Sequence, residues 1–406
     1  MTTRPIHANP KGFPLDREPA IGWSIFDDDV AYPVAIMFDS AIGHNTVELA
    51  RYCDRHGVSL APHGKTTMAP ALFRRQLAAG AWAITAATAW QARTMWAAGV
   101  DRVLIANQVV APGEVAWLAG ARAAGLEAYC YVDSIAGVEI LDAALAATGA
   151  LTPQPVLLEL GVEGGRTGAR TVDAAVRVAE AAARSPHLAL TGVAGFEGIL
   201  PAHAVDAFLT EMVTLTHAVA AAGWFEPSPE VIVTAGGSAY FDHVVERFGD
   251  VAIGLPTRVV IRSGCYVTHD DGALHDASPM GATPRTHHAE HLIPAVEVWG
   301  LVLSRPEPTR AIVGIGKRDA STDGLLPLVK KVRRRGSARV EEVAPNRVVQ
   351  VNDQHAFIDL DPGDPLAVGD LVGVGISHPC TTFDKWRAIP IVDDTYRVIE
   401  VADTLF

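Results

Sequence analysis

The sequence predicts an α/β fold, an N-terminal (β/α)8 TIM barrel followed by a C-terminal antiparallel β domain. Three observations carry this. Between residues 31 and 266, short apolar runs alternate with Ala-rich helical segments, which implies parallel strands joined by crossovers. About eight such units occur, the number that closes a barrel. After Tyr266 the Ala-rich helices vanish and β-like runs replace them.

Taken in order, residues 1–30 form an N-terminal segment expected to pack on the β domain, and residues 1–25 of it carry no functional signal. Residues 34–38 read as a strand. In the helix after it, Ser40 can cap the start, Ile42, Leu49, Ala50 and Cys53 share a face, and Gly57 can end it. Strands are expected at 58–61, 82–86, 103–106, 127–132, 156–160, 190–196, 231–234 and 259–262. Helices are expected at 88–98 and 113–124, with Gly99 and Gly125 just past their ends. An open doubly wound sheet is the alternative, but the first strand lacks its glycine fingerprint.

The β domain is expected over 267–406. It opens with a polar, His- and Asp-rich connector at 269–291. Its strands are read at 295–303, 310–314, 339–343, 347–351, 355–360, 371–375 and 396–401, with a turn at 361–365. The basic run 330–335 reads as a solvated face. His287, His288 and His291 read either as a second metal patch or as a mobile polar loop.

The chain has 406 residues, 49% hydrophobic and 19% charged, enough for two domains with a sizeable core. Its net charge of −13 argues against nucleic acid and anionic membranes as partners. No apolar stretch reads as a membrane span, and the first ten residues lack a secretory core. The four cysteines lie far apart with no CxxC pair, which points to a reduced, cytoplasmic setting.

The residue that matters most is Lys65, in Pro62-His63-Gly64-Lys65-Thr66 directly after a strand. A Lys at a barrel strand's C-terminal tip points where such folds keep their chemistry, and can form a Schiff base with a carbonyl cofactor. A solvated surface Lys is the plain alternative. A phosphate-cradling nucleotide loop is excluded, because Ser59 stands where that motif needs Gly and Pro62 has no N–H.

Barrels often hold a phosphate at the loops after their last two strands. Here these loops are Ala235-Gly236-Gly237-Ser238 and Ser263-Gly264-Cys265-Tyr266. Glycines let amides approach an anion, and Ser238 can add a hydroxyl. Arg166 sits among glycines at the end of the fifth strand and can hold an anion or phenolate; an exposed Arg on a turn is the alternative. Arg262 ends the last strand. It can face a pyridine nitrogen or pair with a carboxylate. In Ser377-His378-Pro379-Cys380, an imidazole and a thiol two residues apart suit zinc, with positions left open for substrate. A buried Cys beside an ordinary loop His is the alternative. His355 either faces the cleft or is a satisfied core His.

The ordered set resembles the D-serine dehydratase and D-threonine aldolase family, fold-type III pyridoxal phosphate enzymes similar in architecture to alanine racemase. It runs through the Lys65 motif, Arg166-Thr167-Gly168, Gly236-Gly237-Ser238, Arg262-Ser263-Gly264-Cys265-Tyr266 and His378-Pro379-Cys380. The resemblance covers about residues 25–400 and looks nearest to the bacterial amino acid deaminases. It implies that Lys65 carries the cofactor and that Arg166 bonds its phenolic oxygen. Gly236, Gly237, Ser238, Gly264, Cys265 and Tyr266 would hold the phosphate. His378 and Cys380 match the metal ligands of the zinc-dependent dehydratases, with manganese or cobalt as alternatives. The aldolases tend to carry a carboxylate where Cys380 stands, which favours β-elimination from a D-3-hydroxy amino acid over carbon–carbon cleavage; an amino acid racemase, the other alternative, would not need the His378–Cys380 pair. His63 and His355 are possible substrate contacts. The family also implies a homodimer. Relatives commonly have His-Lys at the positions of Thr67-Met68, and a Tyr near Phe196-Glu197-Gly198.

Overall fold

The computed structural model describes residues 10–13, 21–27, 30–227, 229–249, 251–286, 290–344 and 347–406. Strand β1 (Val34–Phe38) leads into helix α1 (Asp39–His56). The barrel strands are β2 (Ser59–Leu60), β3 (Ile84–Ala86), β4 (Arg102–Gln108), β5 (Glu127–Val132), β6 (Gln154–Glu159), β7 (Leu188–Ala194), β8 (Val231–Ala235) and β9 (Thr257–Ile261). They alternate with α2 (Pro70–Ala78), α3 (Ala89–Ala97), α4 (Pro112–Ala123), α5 (Ile135–Thr148), α6 (Val172–Arg184), α7 (Ala202–Ala221) and α8 (Phe241–Phe248).

All eight expected barrel strands form, in one parallel sheet of order β2-β9-β8-β7-β6-β5-β4-β3. The ring closes where Trp82 and Thr85 donate their amides to Leu60 and Pro62 at 2.7 and 2.8 Å. Ala61, Ala83, Leu104, Tyr131, Leu157, Ala194, Ile232 and Val260 come from or beside each strand in turn and form one buried layer in the barrel. Helix starts follow side-chain capping: Thr88, Ser134 and Thr171 each accept an amide three residues on. Gly57 and Gly149 end helices in the left-handed conformation. Ser40 is not a cap; α1 begins at Asp39, and the Ser40 hydroxyl bonds Asp394 instead.

Helix α7 is long and apolar enough to cross a membrane by composition, contrary to the sequence reading. In the fold, Phe208, Leu209, Met212, Leu215 and Val219 on one of its faces are buried against the barrel.

The second sheet has the order β13-β12-β16-β10-β1-β17-β18. Its strands are β10 (Val296–Glu307), β12 (Leu328–Arg333), β13 (Val340–Glu342), β16 (Leu371–Gly375), β17 (Ala388–Val392) and β18 (Val398–Asp403), joined to β1. Strands β11 (Arg310–Val313), β14 (Val348–Val351) and β15 (Ala356–Asp359) form a branch off β10. Two short helices, α9 (Ala273–Ala277) and α10 (Cys380–Phe383), complete the set.

Three expectations change here. The segment 34–38 is a strand but not a barrel strand: it pairs antiparallel with β10 and parallel with β17, so the β domain is mixed and the barrel starts later than 31. Val34, Ala35, Ile36 and Met37 are fully buried, as a central strand requires. The basic run is not a plain solvated face; most of it is β12, where Val329 and Val332 are buried and Lys330 and Lys331 are ion-paired to Asp271 and Glu297. Strand β17 was not expected at all. In the N-terminal segment, Gly22 donates its amide to Val398 and Ser24 bridges Arg397, so its described part does lie on the β domain.

Candidate active site

Three turns meet above the C-terminal mouth of the barrel. The first follows β2. Gly64–Thr66 form a 3-10 turn, and Lys65 projects from it into the cleft. Gly64 is required there, because a Cβ would meet Met95 and Ile84 at 2.6 and 2.7 Å. Burial lowers the Lys65 ammonium from its ordinary value; Arg166 and Arg262 reinforce this while Cys380 and Cys265 oppose it. A neutral amine is the nucleophilic form. His63 is held neutral by burial and by the charges of Lys65 and Arg262, and its Nδ1 has no hydrogen-bond partner among the described residues.

The cleft floor carries two cations. Arg262 donates to Thr234 Oγ1 at 2.7 Å and to the Gly195 carbonyl at 2.6 Å. Arg166 stacks 4.4 Å above the Phe196 ring. Glu159 accepts from Gln108 and Thr167, and burial raises its pKa. The buried Tyr131 hydroxyl has no hydrogen-bond partner among the described residues.

The phosphate-type loops divide unexpectedly. Gly236 and Gly237 both donate their amides to the buried Glu197 carboxylate, at 3.0 and 2.6 Å. They are therefore not open donors. The amides of Ser238, Gly264 and Cys265 meet no acceptor among the described residues. The Ser238 and Ser263 hydroxyls stand 3.2 Å apart beside them. The Tyr266 side chain departs from the expectation: it lines a separate cavity with Gln76 and Cys53, because neighbouring residues on the turn diverge.

The third turn brings His378 and Cys380 into the cavity that contains Lys65. His378 Nδ1 lies 2.7 Å from Asp323, a residue the sequence did not single out. Hydrogen bonding to Cys380, against burial, lifts His378 to about 9. Although burial pushes it up, bonds from Ser321, Thr381 and His378 bring Asp323 down to about 2. Cys380 Sγ lies 3.6 Å from Cys265 Sγ and 3.4 Å from Thr66 Oγ1. That contact lowers the Cys380 thiol pKa and raises that of Cys265. His355 is not part of this site. It lies exposed at the turn between β14 and β15, where its carbonyl accepts the Asn352 amide. His287 and His288 lie outside the described residues; His291 Nδ1 is 2.6 Å from the Gly281 carbonyl.

The side chains suit both implied groups. Free amides and two hydroxyls form an anion cradle one turn from Lys65, and a close imidazole–thiol pair offers soft ligands for a metal. Among the described residues no three metal-ligating side chains already converge.

The family model "Alanine racemase, N-terminal domain" matches residues 39–255, and "Putative serine dehydratase domain" matches 295–392. A 3-hydroxy-D-aspartate aldolase of Paracoccus denitrificans (strain Pd 1222) is 25% identical over 372 residues, covering 89% of this chain and 88% of that protein. The structure of a D-threonine aldolase from Filomicrobium marinum superposes with a TM-score of 0.78 at 23% identity, covering 95% of this chain and 98% of that one. A D-threo-3-hydroxyaspartate dehydratase, solved as a cysteine-to-alanine mutant in the metal-free form, gives a TM-score of 0.71 at 21% identity over 92% of this chain and 97% of that one. The chain belongs to the alanine racemase-like, fold-type III pyridoxal phosphate family that includes the D-serine dehydratases and D-threonine aldolases.

Proposed function

We propose that the protein is a pyridoxal phosphate- and metal-dependent lyase that converts a D-3-hydroxy amino acid, of the D-serine or D-threonine type, to a 2-oxo acid and ammonia. The observation that carries the reading is that Lys65 and the His378–Cys380 pair line one cavity. Pyridoxal phosphate supplies an electron sink for the charge left at Cα. A metal supplies Lewis acidity that makes the β-hydroxyl a workable leaving group.

The chain's own residues do the rest. Lys65 would hold the cofactor, and its amine, whose pKa burial lowers, would move the Cα proton. Ser238, Gly264 and Cys265 offer amides to the phosphate. Arg166, which lines the cleft, would bond the phenolic oxygen. Arg262, fixed by Thr234 and Gly195, would keep a proton off the ring nitrogen. His378, oriented by Asp323, and Cys380 would hold the metal. Water lost in elimination is regained when the released enamine hydrolyses, so the net products are the 2-oxo acid and ammonia.

The test is the visible spectrum of the purified protein and of Lys65→Ala, followed by ammonia and glycine assays with D-serine and D-threonine. A Lys65-dependent band with metal-dependent ammonia release supports the reading. Absence of the band after adding pyridoxal phosphate sinks it. Retro-aldol cleavage to glycine and an aldehyde is the second reading, because relatives that match over nearly the full length are aldolases. Glycine in place of ammonia would establish it.

A further inference from the structure

We infer that Cys265 is a third protein ligand of the metal, so that the ion sits in a Cys265–His378–Cys380 set with one open position. The inference rests on the metal half of the proposed function. Its starting point is the separation of two sulfurs. Cys265 Sγ and Cys380 Sγ are 3.6 Å apart, although the residues are 115 positions apart in the chain. A tetrahedral zinc with Zn–S bonds of about 2.3 Å sets its two sulfurs roughly 3.8 Å from each other. The thiols therefore already stand at nearly the spacing of two ligands on one ion.

The rest of the wall fits the same centre. Cys265, His378 and Cys380 all line the cavity that holds Lys65. The chain's other cysteines, Cys53 and Cys130, are buried in the apolar core away from it. His378 turns Nδ1 to Asp323 at 2.7 Å, which leaves Nε2 as the ligating atom. Thr381 Oγ1 donates to the same carboxylate at 2.8 Å and fixes it. This carboxylate–imidazole arrangement orients a metal-binding histidine. Thr66 Oγ1 touches both sulfurs, at 3.7 and 3.4 Å, and can donate to a metal-bound thiolate. The three side chains do not yet converge at bonding distance, so the set closes on the ion as the thiols lose their protons. A Cys2His set with a free fourth position is the pattern of a catalytic zinc. Because the Cys265 amide also belongs to the anion cradle, one residue would serve both phosphate and metal.

X-ray absorption on the zinc-loaded full-length protein counts sulfurs directly. Two sulfurs are expected in the wild type, and one in Cys265→Ala and in Cys380→Ala. Zinc affinity in Cys265→Ala should fall by more than about 100-fold, beyond what an outer-shell loss costs. The Lys65-dependent visible band, which needs only the Cys265 backbone, reports whether that variant is folded. Should Cys265→Ala not fold, the wild-type sulfur count decides alone. One sulfur in the wild type, or unchanged zinc affinity in Cys265→Ala, overturns the inference and leaves the lyase reading standing. No zinc bound to the wild type overturns both this inference and the metal half of that reading.

Discussion

Lys331 Nζ lies 2.8 Å from Glu297 Oε1, an ion pair that ties β12 to β10 across the intervening β16. Glu297 is buried and its other oxygen accepts the Trp299 indole N–H at 2.9 Å. Burial opposes the Lys331 charge, but Glu297 and then Tyr396 outweigh it and raise its pKa. β16 presents Gly373 opposite Lys331.

Removing one partner of such a pair leaves an uncompensated buried charge. Lys331→Met should destabilise the protein by about 3–5 kcal/mol. Lys331→Met combined with Glu297→Gln should recover a large part of that loss. Urea unfolding midpoints check this. Equal midpoints for the single and double variants would show that the Glu297 charge is not the cause.

Glu197 offers a second test. Its carboxylate accepts two amides from the loop that carries Ser238. Glu197→Gln turns one acceptor into a donor facing an N–H. Bonds to a charged acceptor contribute about 1.5–3 kcal/mol, so pyridoxal phosphate affinity should fall roughly tenfold as Ser238 loses its setting. Titration of the apoprotein followed in the visible range reads the change.

Stability in acid should depend on two neighbours that act in opposite directions. Burial, with His275 adding to it, lowers His269 to about 4. The stability this neutral imidazole contributes is present above about 6.5 and is lost as pH falls toward 4. Burial raises Asp270 to about 6 despite amides from Gly272, Leu274 and His275. Its penalty applies above 6 and is relieved as pH falls toward 4. Each effect is worth about 3 kcal/mol, so they nearly offset in the native protein. Asp270→Asn should expose a steeper loss between pH 6.5 and 4 in denaturation midpoints. A parallel curve for the variant would refute the pairing.

Gly264 brings the β9 turn against the Lys65 turn. A Cβ there would meet the His63 carbonyl at 2.5 Å and the His63 Cβ at 2.8 Å. Gly264→Ala should cost about 1–3 kcal/mol of overpacking and weaken cofactor binding, because both turns must move apart. Thermal unfolding with and without added cofactor separates the two effects.

Much of this was legible in the sequence because barrel strands are local patterns. The run 127–132 reads with both ends correct. Lys65, Arg262, His378 and Cys380 sit at strand ends, so topology alone gathers them. What failed was non-local or masked. The apolar run of β1 reveals a strand but not its partners, which begin at Val296 and Ala388. Charge hid β12, and Pro390 hid β17. Tyr266 shares a motif with Gly264 and Cys265, yet consecutive side chains on a turn point apart. Cys265 read as a backbone donor because the other sulfur is far away in the chain. Glu197 was visible as a departure, but only the fold shows its carboxylate on Gly236 and Gly237.

The position of β1 also bears on how the chain is made. Phe38 donates its amide to Ala295, so the whole barrel is looped out between two touching points of the other sheet. A ribosome delivers Val34–Phe38 before either partner strand, β10 following roughly 260 and β17 roughly 350 residues later, on the order of tens of seconds at ordinary elongation rates. Until its β10 partner emerges at Val296, a short, uncharged, strand-forming segment has no neighbour, the profile of an aggregation hazard. Nascent chains halted before Val296 should therefore clump, and a cellular holdase would find its target in Val34–Phe38.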